Sequence, residues 1–222
     1  MFKKILIAED MDFINSGIKS ELLKLGIQQI ANVQYCDEAL LKLKRADLEN
    51  NPFDLLISDL SFEANYHKQK ITNGTELIKE ARLLFPLLKI IVFSVEDKVF
   101  KIQSLFKKYQ INGYVWKNRD GLRELKQAML KIYDNKQLYI SSQIASSISK
   151  SNAIEISDYD IFIIECLSKG YFQEQISQKL QEKQLLPTSI SAIEKKLKFL
   201  KEHFNANNTT HLVSIAKDLG LI

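Results

Sequence analysis

Lys4-Ile5-Leu6-Ile7-Ala8-Glu9-Asp10 near the start of the chain and Leu55-Leu56-Ile57-Ser58-Asp59 further along share one pattern. Each is a short, nearly continuous apolar run, rich in β-branched residues, that breaks abruptly into carboxylates. A run with no polar alternation predicts a strand buried on both faces, as in a parallel sheet between two layers of helices.

Working outward, the same alternation runs through residues 1–134. Strands are predicted at Lys4–Ala8, about Ala31–Tyr35, Phe53–Ser58, Lys89–Phe93 and Gly113–Trp116. Between them, helical spacing places Phe13, Ile14, Ile18, Leu22 and Leu25 over residues 12–25, and Ala39, Leu40, Leu43 and Ala46 behind a predicted Asp37 cap. Further helices are predicted at Thr75–Phe85, stopped by Pro86, at 98–109 and at Asp120–Tyr133. Five strands alternating with five helices predict an α/β, doubly wound, five-stranded parallel sheet, whose ligands lie beyond the carboxyl ends of the strands.

Residues 135–156 are poor in apolar periodicity and predict a linker with one short helix near Ser142–Ser149. From Ser157 the pattern is helical throughout, giving a small all-α domain over 157–222. Its first helix opens on a capping-box-like Ser157-Asp-Tyr-Asp160 and stops at Gly170. Others follow at about Phe172–Leu185, Ser189–Phe204 and Thr210–Leu219.

The chain of 222 residues is long enough for two ordinary domains. With 7 Gly and 3 Pro it is neither fibrous nor low-complexity, and two cysteines, Cys36 and Cys166, make no disulfide framework. The N-terminal apolar run is cut short by Glu9, Asp10 and Asp12, and no stretch reaches the length of a membrane span. A cytoplasmic protein with no membrane partner is expected. Residues 1–134 carry 21 Lys+Arg against 18 Asp+Glu, so the +4 net charge does not mark one basic, nucleic-acid-binding half. The histidines His67, His203 and His211 share no ligand spacing.

Chemistry-bearing residues collect at the predicted strand ends: Glu9 and Asp10 after the first, Asp59 after the third, Ser94 after the fourth and Lys117 after the fifth. A parallel sheet gathers these along one edge. Three carboxylates there repel one another unless a cation sits among them, and hard oxygen donors suit Mg²⁺. A lysine and a hydroxyl beside them suit a transferred phosphoryl group, with Asp59 as the nucleophile.

Residues 3–134 resemble the receiver domain of bacterial two-component response regulators. The likeness is carried by Lys3-Lys4-Ile-Leu-Ile-Ala-Glu9-Asp10, Leu55-Leu-Ile-Ser-Asp59-Leu, Ile91-Val-Phe-Ser94 and Gly113-Tyr114-Val-Trp-Lys117. It implies that Asp59 is the phosphoacceptor of a sensor histidine kinase, and that Glu9, Asp10, Asp59 and the backbone carbonyl of Ser61 hold Mg²⁺. It also implies that Lys117 and Ser94 contact the phosphoryl group and that Tyr114 switches with Ser94. Two departures stand out. The segment Ser61–Asn73 is longer than usual, carries His67, Lys68 and Lys70, and lacks the usual Met-Pro. Val95 follows Ser94 where a small residue is common. Both bear on access to Asp59.

Residues 157–222 resemble the LuxR/NarL-type helix-turn-helix domain, through Leu167-Ser-Lys-Gly170, Gln175-Ile-Ser-Gln-Lys-Leu180, the Ser191–Phe204 helix and Ala216-Lys-Asp-Leu-Gly-Leu. In the last long helix Ile193, Leu197 and Leu200 are expected to face the bundle, and Glu194, Lys195, Lys198 and Lys201 to face outward. The resemblance implies contacts with double-stranded DNA at Ser191, Glu194, Lys195, Lys196 and Lys198. Here the turn spanning Gln181–Thr188 is lengthened, and Glu194 stands where the family often has Lys.

The leading expectation is a DNA-binding homodimer switched by phosphorylation at Asp59, and not an enzyme beyond slow self-phosphorylation or dephosphorylation. The competing expectation is a receiver-controlled protein-interaction module whose helical domain does not read DNA. A small-molecule aspartyl phosphatase is disfavoured because Ser61 stands where such enzymes place a second Asp.

Overall fold

The computed structural model describes residues 1–63, 70–135, 137–151 and 156–222. The chain divides into two compact units, Met1–Asp97 with Ile102–Ser147, and Ile148–Ile222 with the short stretch Lys98–Lys101.

The first unit alternates strands and helices as β1 (Lys4–Ala8), α1 (Asp12–Lys24), β2 (Gln29–Val33), α2 (Cys36–Leu48), β3 (Leu55–Ser58), α3 (Gly74–Leu84), β4 (Lys89–Ser94), α4 (Val99–Tyr109), β5 (Gly113–Trp116) and α5 (Gly121–Asn135). A short β6 (Tyr139–Ile140) and α6 (Ser142–Ser151) follow. All the strands are parallel, in the order β2-β1-β3-β4-β5-β6. The doubly wound parallel sheet is therefore as expected, but among the described residues it has six strands rather than five. The sixth lies inside the stretch expected as a linker. Its two residues are too few to show periodicity. They are placed by tertiary hydrogen bonds: Tyr139 N–H donates to the Asn112 carbonyl and Ser141 N–H to the Tyr114 carbonyl, both at 3.0 Å.

Pleating sends alternate side chains to opposite faces. On one face Ile5, Ile7, Leu55, Ile57, Ile91, Phe93 and Val115 pack with Ile18 and Leu22 of α1 and Leu125, Ala128, Met129 and Ile132 of α5. On the other, Leu6, Leu56, Ile90 and Val92 are completely buried. At roughly 1.5–3 kcal/mol for each fully buried large side chain, this two-sided burial favours the layered arrangement over any alternative that exposes one face.

Two local expectations are revised. The second strand begins two residues earlier than expected, in register with β1 from Lys4↔Gln29 to Ala8↔Val33. Asp37 does not cap α2: the cap position is Tyr35, two residues earlier and in extended backbone, and the helix starts at Cys36. The Asp37 carboxylate instead accepts from the backbone N–H groups of Lys70 and Ile71, at 2.8 and 3.1 Å.

The second unit contains α7 (Asp158–Ser168), α8 (Gln173–Glu182), α9 (Ile190–His203) and α10 (Thr209–Asp218). The expected Ser157/Asp160 capping box is present in both directions. Ile163, Ile164, Ile176, Leu180, Ile193, Leu197, Leu200, Leu212 and Ala216 form its core. The seven residues between α8 and α9 are held by side chains from two helices. Ser177 Oγ donates to the Thr188 carbonyl, and the Tyr159 hydroxyl to that of Pro187, both at 2.6 Å. Among the described residues, no helix is long and apolar enough to cross a membrane.

Candidate functional site

The strand order reverses between β1 and β3, the place where open α/β sheets bind ligands. Glu9 and Asp10 follow β1 there, and Asp59 follows β3 directly beside them. One carboxylate oxygen from each lies within 4.8 Å of the others. Lys117, at the end of β5, reaches across: its Nζ is 2.6 Å from both Glu9 Oε2 and Asp59 Oδ2. The sheet thus brings together Glu9, Asp10, Asp59 and Lys117 from three strand ends.

Each acid has its own environment. Asp59 is nearly buried, and its Oδ1 accepts from the Leu60 N–H at 2.6 Å while Oδ2 faces Lys117. Glu9 is almost fully buried, and desolvation pushes its pKa up to about 7 against the opposing pull of Lys117. Asp10 is more exposed and its Oδ2 accepts from the Glu63 N–H at 2.8 Å. Three converging carboxylates, two of them against one buried ammonium, form a hard oxygen set matched to a small divalent cation. Glu9, Asp10 and Asp59 fit Mg²⁺ by donor type and spacing. Ser61 follows two residues beyond Asp59 and is exposed.

Ser94 and Tyr114 lie on adjacent strands, and both are completely buried. Ser94 Oγ has no partner of hydrogen-bonding geometry among the described residues. Tyr114 stands near it but donates to the Glu96 carbonyl at 2.5 Å. Burial, followed by the charges of Glu96 and Asp59, pushes its phenol pKa up. Val95 points its side chain to solvent, 62% exposed, and its carbonyl accepts from Trp116 Nε1 at 3.1 Å.

Two contributors escaped the sequence reading. A Cβ on Gly74 would fall 1.8 Å from the Asp59 carbonyl oxygen, so only glycine lets the start of α3 approach the end of β3. The Gly74 N–H also donates to the Leu60 carbonyl at 2.9 Å. In the sequence the only signal is the Asn73-Gly74 pair that ends the long Ser61–Asn73 segment. Asn15 is buried and donates from Nδ2 to the Glu9 carbonyl at 2.6 Å, tying α1 to the acidic turn. Of the long segment after Asp59, His67 and Lys68 lie outside the described residues. Lys70 and Ile71 are fastened to Asp37, as above.

In the second unit, Ser191, Glu194, Lys195 and Lys198 are exposed on α9, while Ile193, Leu197 and Leu200 are buried, as the helical spacing predicts. Lys198 lies 3.9 Å from Glu202. Lys196 is set apart from the others: its Nζ is 2.9 Å from Oδ1 of the buried Asp160. Lys201, expected to face outward, is only partly exposed.

No protein-family profile matches the chain. It is 29% identical to the response regulator GacA of Pseudomonas aeruginosa over 187 residues, 80% of either chain. Its fold matches RcsB, a response regulator of Salmonella typhimurium, with a TM-score of 0.68 at 20% identity over 97% of this chain and 99% of the other. RcsB of Salmonella enterica serovar Typhimurium, solved bound to a promoter in the presence of the phosphomimetic BeF3−, matches with a TM-score of 0.61 at 20% identity over 95% and 96% of the two chains. By sequence the chain is thus related to a response regulator, and its fold is the two-unit fold of RcsB, a parallel α/β sheet unit followed by a helical unit.

Proposed function

We infer that the chain is a two-component response regulator with a LuxR/NarL-type output domain. In this reading Asp59 takes a phosphoryl group from a sensor histidine kinase, and the helical unit binds double-stranded DNA as a homodimer in the cytoplasm. The observation that carries it is the strand-end constellation of Glu9, Asp10, Asp59 and Lys117 at the switch point of the sheet.

Asp59 Oδ forms the new O–P bond as the donor's phosphorus–nitrogen bond breaks, leaving an acyl phosphate. Lys117, already against Asp59 Oδ2, offsets the added negative charge, and the buried Ser94 hydroxyl, without a partner of good geometry among the described residues, is the donor assigned to meet it. Mg²⁺ held by Glu9, Asp10, Asp59 and the Ser61 carbonyl supplies further charge neutralisation when bound. The group is an acceptor, not a turnover catalyst. The phosphorylated conformer is favoured only by contacts it alone makes, so Ser94 and Tyr114 are the switch. On α9, Ser191, Lys195 and Lys198 are exposed for phosphates and base edges, with Glu194 among them.

A second reading, a protein-interaction module, is favoured by one observation. The exposed face of α9 carries Glu194, Glu202 and the half-exposed Phe199 among its lysines, a mixed surface less suited to phosphates than a basic one.

Selection of fragmented genomic DNA by the full chain, at fixed salt and with or without Mg²⁺ and beryllofluoride, tests both. Enrichment of a two-fold-symmetric site mainly with the mimic is expected. Enrichment in neither arm favours the interaction module, and equal enrichment in both makes the output independent of Asp59.

A further inference from the structure

Lys196 and Asp160 meet where two local devices overlap. Asp160 is 2% exposed, and its Oδ2 closes the capping box of α7 by accepting from Ser157 N–H at 3.0 Å and Ser157 Oγ at 2.7 Å. Its other oxygen, Oδ1, lies against the Lys196 ammonium at 2.9 Å and has no hydrogen bond of its own among the described residues. The same ammonium lies 5.3 Å from the centroid of the Phe199 ring, one turn further along α9. Lys196 is therefore committed inward, to α7 and to its own helix. Its neighbours Lys195 and Lys198 remain exposed.

The geometry has a rotational consequence. The apolar row Ile193, Leu197 and Leu200 seats α9 on the core, but apolar packing is non-directional and tolerates some roll of the helix about its axis. A short ion pair to a carboxylate held by the cap opposes that roll through distance, because any roll that carries Nζ away from Oδ1 separates the two charges. The capping box immobilises the Asp160 carboxylate, so the pair fixes which residues of α9 point outward.

We propose that Lys196 is a positioning residue rather than a DNA contact: paired with Asp160, it sets the roll of α9 that presents Ser191, Glu194, Lys195 and Lys198 to the duplex. This rests on the DNA-binding reading above and adds to it the element that orients the reading helix.

The two roles of Lys196 predict opposite results for Asp160→Asn. If Lys196 contacts phosphate, releasing it and removing a carboxylate leaves DNA binding unchanged or tighter. If the pair positions α9, Asp160→Asn weakens binding as Lys196→Met does. We would measure full-chain affinity for the genomic duplex recovered above, or for a mixed-sequence duplex, across a salt series. Each variant would first be shown folded by circular dichroism. Expected are a loss of about tenfold or more for either single variant, no further loss in the double variant, and recovery by Lys196→Arg. The salt slope should change by less than the ~0.9 that one lost phosphate contact removes. Ser157→Ala loses the hydroxyl bonds of the cap but keeps the Ser157 N–H bond to Asp160 Oδ2 and the ion pair, so it controls for helix stability and should lose less affinity than either pair variant.

Binding by Asp160→Asn as tight as wild type, or additive losses in the double variant, would overturn the proposal while leaving the DNA reading intact. A wild-type chain that binds no duplex overturns the DNA reading itself, and the positioning role with it.

Discussion

Lys117 and Asp59 are 58 residues apart in the chain, yet Lys117 Nζ stands 2.6 Å from Asp59 Oδ2, with both side chains less than a tenth exposed. The same ammonium meets Glu9 at equal distance. A buried cation shared by two carboxylates, with a third close by, leaves the site net negative and poorly solvated. Attraction to the lysine offsets only part of the desolvation of the acids. The site is therefore predisposed to take up more positive charge, and its chemistry depends on pH.

Glu9 supplies the first prediction. With its pKa near 7, it is protonated below neutrality in the metal-free protein and must lose that proton to act as a ligand. Mg²⁺ affinity should fall by up to about tenfold per pH unit below 7 and level off above it. Because the folded pKa lies above the ordinary 4.5, Glu9's contribution to metal-free stability is fully present below about pH 4.5 and is lost as pH rises through about 7. Trp116, the single tryptophan and the neighbour of Lys117, gives a fluorescence signal for a Mg²⁺ titration. A Glu9→Gln chain should lose the pH dependence, and an affinity flat from pH 6 to 8 in the wild type contradicts it.

Gly74 sets a steric prediction. A Cβ 1.8 Å from the Asp59 carbonyl oxygen cannot be accommodated without moving backbone. Gly74→Ala should cost on the order of 2 kcal/mol or more in urea unfolding and should also weaken beryllofluoride binding. Wild-type stability in that variant would show that α3 backs away freely.

Ser94 should separate function from stability. Its buried hydroxyl has no partner of good hydrogen-bonding geometry among the described residues, so Ser94→Ala should change stability by less than about 1 kcal/mol. The same variant should lose most of its response to the phosphoryl mimic, read as dimer formation by light scattering. A variant that dimerises normally with beryllofluoride removes Ser94 from the switch.

On the phosphoacceptor reading, Asp59→Asn keeps the shape of the side chain but removes the carboxylate oxygen that attacks phosphorus. Dimerisation driven by acetyl phosphate should disappear in that chain, and its persistence would mean that phosphate acts elsewhere.

Glu194 tests the DNA face directly. Glu194→Lys reverses an exposed charge between Ser191 and Lys195, Lys198 on α9. On the DNA reading, affinity should rise several-fold, with a salt slope steeper by roughly 0.9 if the new lysine reaches a phosphate. No change in either would place that face away from the duplex.

What the amino-acid sequence determined by itself is the layered sheet and the identity of its acidic edge. Ile5–Ala8, Leu55–Ser58 and Lys89–Phe93 are nearly apolar without alternation, and their shortness and their alternation with helical patterns point to strands between two helical layers. Once those strands are parallel, the residues that end them must share an edge, so Glu9, Asp10, Asp59 and Lys117 were legible together. The capping box at Ser157 and Asp160 was legible for the same reason: its bonds span three residues and need no tertiary partner.

Tertiary structure decided the rest wherever a residue had several partners within reach. Asp37 carries the local signature of a helix cap, yet its carboxylate serves the backbone of Lys70 and Ile71, 33 and 34 residues away. Tyr139–Ile140 has no strand signal of its own and is a strand because Asn112 and Tyr114 present open carbonyls. Gly74 reads as an ordinary turn until Asp59 is brought against it. Lys196 stands in the sequence as one lysine among the implied DNA contacts, and only packing shows that the buried Asp160 turns it inward. Periodicity and capping are short-range and recorded along the chain, whereas a hydrogen bond or a steric limit between distant segments exists only after packing has brought them together.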